Sequence, residues 1–197
     1  RRFLDMELCQ LDKVYLNHLA NYNRALNQRN NLLKQIGADP SLKETLDLWE
    51  EQLISYGTQI MQGRAAFLQE LAPIVAEIHG QLSGGKEELR LLYEPNVCAD
   101  RYREEMFYAR ERDIYLKTTH VGPHRDDMIF EINGTDARRF GSQGQQRTAA
   151  LSLKMAEIEI VRRRTGQKPI LLLDDVLSEL DRSRQNYLLG GISGTQV

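Results

Sequence analysis

The stretch FGSQGQQRTAALSLKMAEIE, Phe140 to Glu159, joins a polar, glycine-containing turn directly to an alanine- and leucine-rich helical run. A junction of this kind can grip an anion, because the first N–H groups of a helix have no intrahelical partner and point at whatever lies before them. Ser142 offers a hydroxyl, Gly144 lets backbone approach closely, and Gln143, Gln145 and Gln146 complete the turn. Taken alone, the same residues read as an ordinary capped helix. Nothing in the chain supplies the lysine-bearing phosphate loop that normally holds a nucleotide: two glycines five apart, then lysine and Ser/Thr opening a helix.

Downstream lies KPILLLDDVLSELD, Lys168 to Asp181. Four aliphatic residues followed by two aspartates describe a strand buried on both faces that delivers carboxylates at its C-terminal end, where open α/β sheets place their ligands. Adjacent buried carboxylates need a counter-charge, so a metal ion or strong donors are expected beside them. In this reading Asp174 holds Mg²⁺ and Asp175 orients and polarises an attacking water. The other reading is an exposed acidic loop after a core strand. Ser178, Glu179, Leu180 and Asp181 serve the next turn, where Asp181 caps a helix and the segment can also contact a second subunit. Set in front of this strand, the Ser142 turn becomes a clamp for a γ-phosphate.

The remaining sequence bounds the class. At 197 residues the chain buries a real core. Its longest aliphatic run, ILLL at Ile170 to Leu173, is far short of the roughly 18 residues of a membrane helix, so no transmembrane segment is expected. Cys9 and Cys98 have no metal-ligand spacing and read as reduced, cytosolic thiols. A net charge of −2 excludes a general polycation, yet local clusters occur, among them Arg138/Arg139 and Arg162, Arg163 and Arg164, which read as DNA contacts or as solvated helix faces.

From Leu4 the apolar positions alternate in fours and threes through Leu8, Leu11, Tyr15, Tyr22 and Leu26, predicting one long amphipathic helix that ends at Gly37 and Pro40. With Ser41 as cap, a second series runs from Leu42 through Leu46, Trp49, Leu53, Tyr56 and Ile60 to Phe67 and Leu71, so an antiparallel helical hairpin is expected. Pro73 is expected to weaken or kink the second helix, and His18 and His79 read as surface or seam residues without a chemical role. SGGK, Ser83 to Lys86, looks like a nucleotide motif but precedes alternating Leu89, Leu91 and Tyr93, which makes it a glycine turn before a strand. Asp100 to Arg112 reads as a short charged helix. After Arg112 the texture turns strand-rich, and Asn133-Gly134 signals a hairpin turn. Two parts follow: a helical arm over residues 1–112 and an α/β lobe over 113–197.

Several motifs in order carry a resemblance: RRFLD (Arg1 to Asp5), VGPHRDD (Val121 to Asp127), ING (Ile132 to Gly134), the Ser142 turn with its helix, and ILLLDDVLSELD. Together they resemble the RecF family of bacterial DNA replication and repair proteins, related to the SMC and Rad50 ATPases. The resemblance implies an α/β fold, the C-terminal part of a P-loop, ABC-type ATPase head carrying a helical hairpin, and a fragment lacking the phosphate-loop half. It implies ATP with Mg²⁺ as cofactor and a homodimer formed around ATP, in which Ser142, Gln143, Gly144, Gln145 and Gln146 complete the neighbouring subunit's site. Double-stranded and gapped DNA, RecR and RecO are the implied partners, and recombinase loading the implied function. Asp175 stands where many relatives of the wider class carry glutamate, which implies slow hydrolysis by the full-length protein and none by the fragment. Two other readings compete: an interaction module without nucleotide chemistry, and a transporter's nucleotide-binding subunit, which leaves the hairpin and VGPHRDD unexplained.

Overall fold

The computed structural model describes residues 1–166; the expected strand and helix after Lys168, with Asp174, Asp175 and Ser178 to Asp181, lie outside them. The described elements are α1 (Arg2–Leu11), α2 (Lys13–Gln35), a 3-10 turn (Pro40–Thr45), α3 (Leu46–Leu82), β1 (Leu89–Glu94), α4 (Tyr102–Leu116), a 3-10 turn (Pro123–Arg125), β2 (Asp127–Ile132), β3 (Thr135–Asp136), α5 (Ala137–Phe140) and α6 (Gln143–Thr165). They fall into two compact units, one of residues 1–67 and 93–128, the other, among the described residues, of 68–92 and 129–166. Arg112, where the sequence changes texture, lies inside α4 and inside the first unit.

In the first unit the hairpin forms as the periodicity predicts. A Cβ built on Gly63 would meet the Tyr15 ring at 3.1 Å, one on Gly57 would meet Tyr22 at 3.1 Å, and Arg29 bonds Glu50, so numbers rise along α2 as they fall along α3. The turn end is sealed by Leu33, Ile36 and Leu46, with Leu32, Leu42 and Ile114 packed against them. Each fully buried leucine or isoleucine there contributes about 1.5–3 kcal/mol.

Several local expectations are corrected. The first helix is divided at Asp12, which is extended (φ −139°) and whose carboxylate accepts from the N–H groups of Val14 and Tyr15, so it caps α2. Asp39 rather than Ser41 is the cap at the turn, and a 3-10 segment delays α3 to Leu46. α3 runs unbroken for 37 residues with Pro73 inside it. The lost ladder bond costs about 3 kcal/mol, and burial of Leu68, Leu71, Ile74 and Val75 on either side offsets it. No strand follows Arg112 directly, because α4 continues to Leu116 and buries Asp113 completely.

In the second unit α3 ends in the SGGK turn. Gly84 and Gly85 take φ values of 65° and 75°, and the Gly85 N–H donates back to the Gly80 carbonyl at 2.7 Å. β1 follows with Leu89 and Leu91 buried and Arg90 exposed. The sheet has the order β1-β2-β3. Asn133 and Gly134, both at positive φ (50° and 77°), form the two-residue turn of the antiparallel β2–β3 hairpin, with Ile132 opposite Thr135. α6 then buries Ala149, Leu151, Leu153, Met155, Ala156 and Ile160.

Candidate functional site

The start of α6 is built from within. Asp136 caps α5 by accepting from the N–H groups of Arg138 and Arg139. Gly141 must be glycine for the chain's own packing, since a Cβ there would meet the Ala137 carbonyl oxygen at 2.5 Å. Ser142 Oγ accepts from Gln145 N–H at 3.2 Å while Gln145 Oε1 accepts from Ser142 N–H at 2.9 Å, a reciprocal capping box. Gln146 Nε2 donates to the carbonyls of Ala137 (3.0 Å) and Gly141 (3.2 Å), pinning the preceding turn. Thr148 Oγ1 donates to the Gly144 carbonyl at 2.8 Å.

The outward side is open. Ser142, Gln143, Gly144 and Gln146 are exposed and Gln145 is half-buried. A hydroxyl can accept and donate at once, so capping leaves the Ser142 proton available to an anion. With Gln145 and Gln146 N–H groups bonded to Ser142, the N–H groups of Gln143 and Gly144 remain as the outward pair at the positive end of a 23-residue helix. Gly144 differs from Gly141: the nearest atom to a Cβ placed on it is Ser142 Oγ at 3.9 Å. Among the described residues nothing demands glycine there. The capped-helix reading and the anion-clamp reading therefore describe the same geometry from its two sides.

The structure brings only some of the arginines near this site. Arg138 and Arg139 lie on α5, directly before it, and Arg139 reaches Asp136 at 3.5 Å. Arg162, Arg163 and Arg164 occupy the last turn of α6, roughly 30 Å away at 1.5 Å per residue. Arg162 and Arg163 share Glu159 at 2.7 and 2.8 Å. Burial pushes the Glu159 carboxyl up, but the two guanidiniums prevail and hold it below its ordinary value. Arg164 pairs with Glu70. Pairs of this kind at or near the surface are worth at most about 1 kcal/mol.

VGPHRDD is explained by the first unit. Gly122 has φ 134°, and a Cβ on it would meet the hydroxyls of Tyr22 and Tyr102 at 2.6 Å. Arg64, 1% exposed, donates to the Pro123 carbonyl and to Asp126 Oδ2, both at 2.7 Å, and to Asp5 at 2.8 Å. Burial works against its charge, yet Tyr15 and Asp5 hold the guanidinium above its ordinary value. Tyr93 donates to Asp126, whose other oxygen accepts from Asn96 N–H. His124 Nε2 donates to the Thr119 carbonyl at 3.0 Å, which leaves Nδ1 to accept from the Tyr22 hydroxyl at 2.7 Å. Burial is the main cause that lowers the His124 pKa. Arg29, 0% exposed, closes a second network by donating to Glu50, Asp113 and Thr119. The burial of Arg29 and Arg64 is not evident from residue type. The available signal was position: each sits on the apolar stripe of its helix, Arg29 after Tyr22 and Ala25, Arg64 between Ile60 and Phe67.

His79 also departs from expectation. Expected at the surface or seam, it is completely buried, between Ser152 and Glu87. Among the described residues no group of side chains has the make-up of a metal site, and no helix is long and apolar enough to cross a membrane. Cys9 and Cys98 are free thiols.

No family model matches the chain. Curated relatives do. It is 59% identical over its whole length to the DNA replication and repair protein RecF of Lachnoclostridium phytofermentans, covering 55% of that protein. It is 54% identical to RecF of Agathobacter rectalis over the same span, covering 54% of it. Against RecF of Bacillus thuringiensis (strain Al Hakam) it is 48% identical over 98% of the chain, again 55% of the relative. Among solved structures, the recombination mediator protein RecF-ATP in the RecFOR pathway matches with a TM-score of 0.90 and 37% identity, covering 100% of this chain and 55% of that one. A RecF-ATPrS structure matches equally. The described part is mostly helical with a small three-stranded sheet, consistent with the C-terminal part of an ABC-type ATPase. The chain spans about half the length of the relatives it matches, and over that span, with 48–59% identity throughout, it belongs to the RecF family.

Proposed function

We propose that this chain supplies the signature half of a composite ATP site in a DNA-repair mediator that dimerises around nucleotide. Ser142 and the N–H groups of Gln143 and Gly144 contact the γ-phosphate held by a second subunit, with Gln145 and Gln146 shaping the turn. The observation that carries this reading is Gly144, a helix-opening glycine to which the nearest described atom a Cβ would meet is Ser142 Oγ at 3.9 Å, so no described residue requires it to be glycine. Likeness to a RecF-ATP structure supports ATP as the anion. In the same reading Asp174 holds Mg²⁺, Asp175 polarises water for slow hydrolysis, and Ser178, Glu179, Leu180 and Asp181 contact the second subunit; all six lie outside the described residues. Residues 1–112 act as a helical arm and 113–197 as the head lobe. The mediator acts in the cytoplasm with RecR and RecO and promotes recombinase loading on gapped DNA.

The test uses a full-length RecF carrying this sequence. Ser142→Arg places a bulky cation where the phosphate enters, so ATP-driven dimerisation, read by light scattering, is expected to disappear while ATP binding to the monomer persists. Dimerisation at the parent's ATP concentration in this variant refutes the clamp.

Duplex DNA contact is proposed for Arg138, Arg139, Arg162, Arg163 and Arg164. Replacing Arg162 and Arg163 by Gln is expected to weaken binding and to lower the slope of log affinity against log salt by roughly 0.9 for each phosphate no longer neutralised. An unchanged slope removes those two arginines from the interface.

A second reading, a protein-interaction module, is favoured by α4, which exposes Phe107 (65%), Tyr108 (67%) and Tyr115 (83%) in the first unit. Aromatic residues on a surface helix are characteristic of protein contacts. Loss of partner binding but not of dimerisation in Phe107→Ser/Tyr108→Ser separates this role from the nucleotide one.

A further inference from the structure

The SGGK turn looked like a nucleotide motif and is not one, and the structure gives that turn another task. Glu87 follows it immediately. The Glu87 N–H donates to Ser83 Oγ at 3.4 Å, and its carboxylate is directed at two groups: Oε1 accepts from Gln145 Nε2 at 3.1 Å, and Oε2 accepts from His79 Nε2 at 3.1 Å. His79 Nδ1 lies 3.1 Å from Ser152 Oγ, the Ser152 hydroxyl donates to the Thr148 carbonyl at 2.7 Å, and Thr148 Oγ1 donates to the Gly144 carbonyl at 2.8 Å. The path leaves the anion-facing turn through Gln145 and returns to it through Gly144. Every group in it belongs to the second unit.

We infer that Glu87 and His79 are positioning residues for the phosphate-facing turn, a role that rests on the signature reading above. Gln145 Oε1 holds the Ser142 N–H, which turns Nε2 inward and leaves it in need of an acceptor. Glu87 is that acceptor, and by fixing Gln145 it fixes the capping box and hence the direction of the Ser142 hydroxyl. Ionised Glu87 also puts a negative charge behind a site meant for a phosphate. His79, 0% exposed and donating to Oε2, engages that charge from the inner side. A packing role alone would need neither an acceptor oxygen toward Gln145 nor a histidine behind it.

The experiment uses the full-length RecF carrying this sequence and follows three quantities: the ATP concentration that half-saturates dimerisation, the affinity of the monomer for a fluorescent ATP analogue, and the melting temperature. Glu87→Ala is expected to raise the half-saturating ATP concentration by roughly tenfold or more, as misplacement of an aligning group does, with monomer affinity unchanged. Glu87→Gln, which keeps an oxygen for Gln145 and carries no charge, recovers most of the loss. His79→Leu removes the N–H that Glu87 Oε2 accepts from and impairs dimerisation; adding Glu87→Gln to it restores function. Recovery in the double variant is not expected of a purely structural pair.

Parent-like dimerisation in Glu87→Ala, while Ser142→Arg abolishes it, overturns the positioning role and leaves the signature reading intact. Failure of Glu87→Gln to recover, or a parallel fall in monomer affinity, also overturns it, assigning the network to folding alone. Should Ser142→Arg itself dimerise normally, the signature reading falls and this inference with it.

Discussion

The buried ion clusters of the first unit and the start of α6 in the second treat their polar groups in opposite ways. In the first, Arg29 and Arg64 are buried and surrounded by Glu50, Asp113, Asp5 and Asp126, and the donors turn inward. In the second, the start of α6 satisfies itself with a capping box and leaves two N–H groups and a hydroxyl facing out. Removing a partner from the first arrangement strands a buried charge. Changing an outward group in the second costs the fold little. A polar cluster whose members all find partners inside the chain is architecture, whereas one that stops short on its exposed side is prepared for something external.

Arg64→Met breaks this contrast most severely. It leaves Asp5 and Asp126 without their cation, and loss of one member of a buried pair costs about 3–5 kcal/mol. A drop of that size in urea-denaturation stability is expected; a loss below about 1 kcal/mol, the scale of an exposed pair, would mean that the carboxylates reach water.

The glycines sharpen the comparison. Gly57→Ala drives a Cβ to within 2.7 Å of the Tyr102 ring, and overpacking of this kind costs about 1–3 kcal/mol. Gly144→Ala meets open space, so its stability is expected to hold or to rise by up to about 1 kcal/mol from helix propensity, while ATP-driven dimerisation weakens. A loss of stability in Gly57→Ala, against held stability with weakened dimerisation in Gly144→Ala, is the diagnostic outcome. A destabilised Gly144→Ala would show that this glycine serves the fold.

The smallest effect is titration of His124. Burial depresses its pKa below the ordinary 6.5, so the unfolded chain takes up the proton first as pH falls. Its contribution to stability is complete above about pH 6.5 and is lost as pH falls from there through the folded-state value. Urea midpoints measured from about pH 8 to about pH 5 should fall on the acid side, and His124→Asn should lose that component of the slope.

Legibility followed the range of the forces involved. The α2–α3 hairpin, the strand at Leu89, the Asn133-Gly134 turn and the helix opening at Ser142 were readable because each rests on spacing or turn chemistry within a few residues. The break at Asp12 was equally local, a carboxylate two residues before Val14, but the apolar stripe runs across it and masked it. His79, Arg29 and Arg64 could not be placed from spacing. An ionisable residue on an apolar stripe is either a seam defect or a buried ion, and its partners decide which. Those of Arg64 come from Asp5, Pro123 and Asp126, far away along the chain.

By itself, then, the sequence determined the order of elements, the antiparallel hairpin, the position of the anion-facing turn and the family resemblance, all properties of short segments and their succession. Only the tertiary structure decided that VGPHRDD is a turn locked by Arg64 and the paired tyrosines, that Gly144 is open while Gly141 and Gly57 are not, and that Glu87 and His79 stand behind the turn. The reason is physical: desolvation makes a buried charge or donor depend on its partners, and partners are chosen by packing in three dimensions.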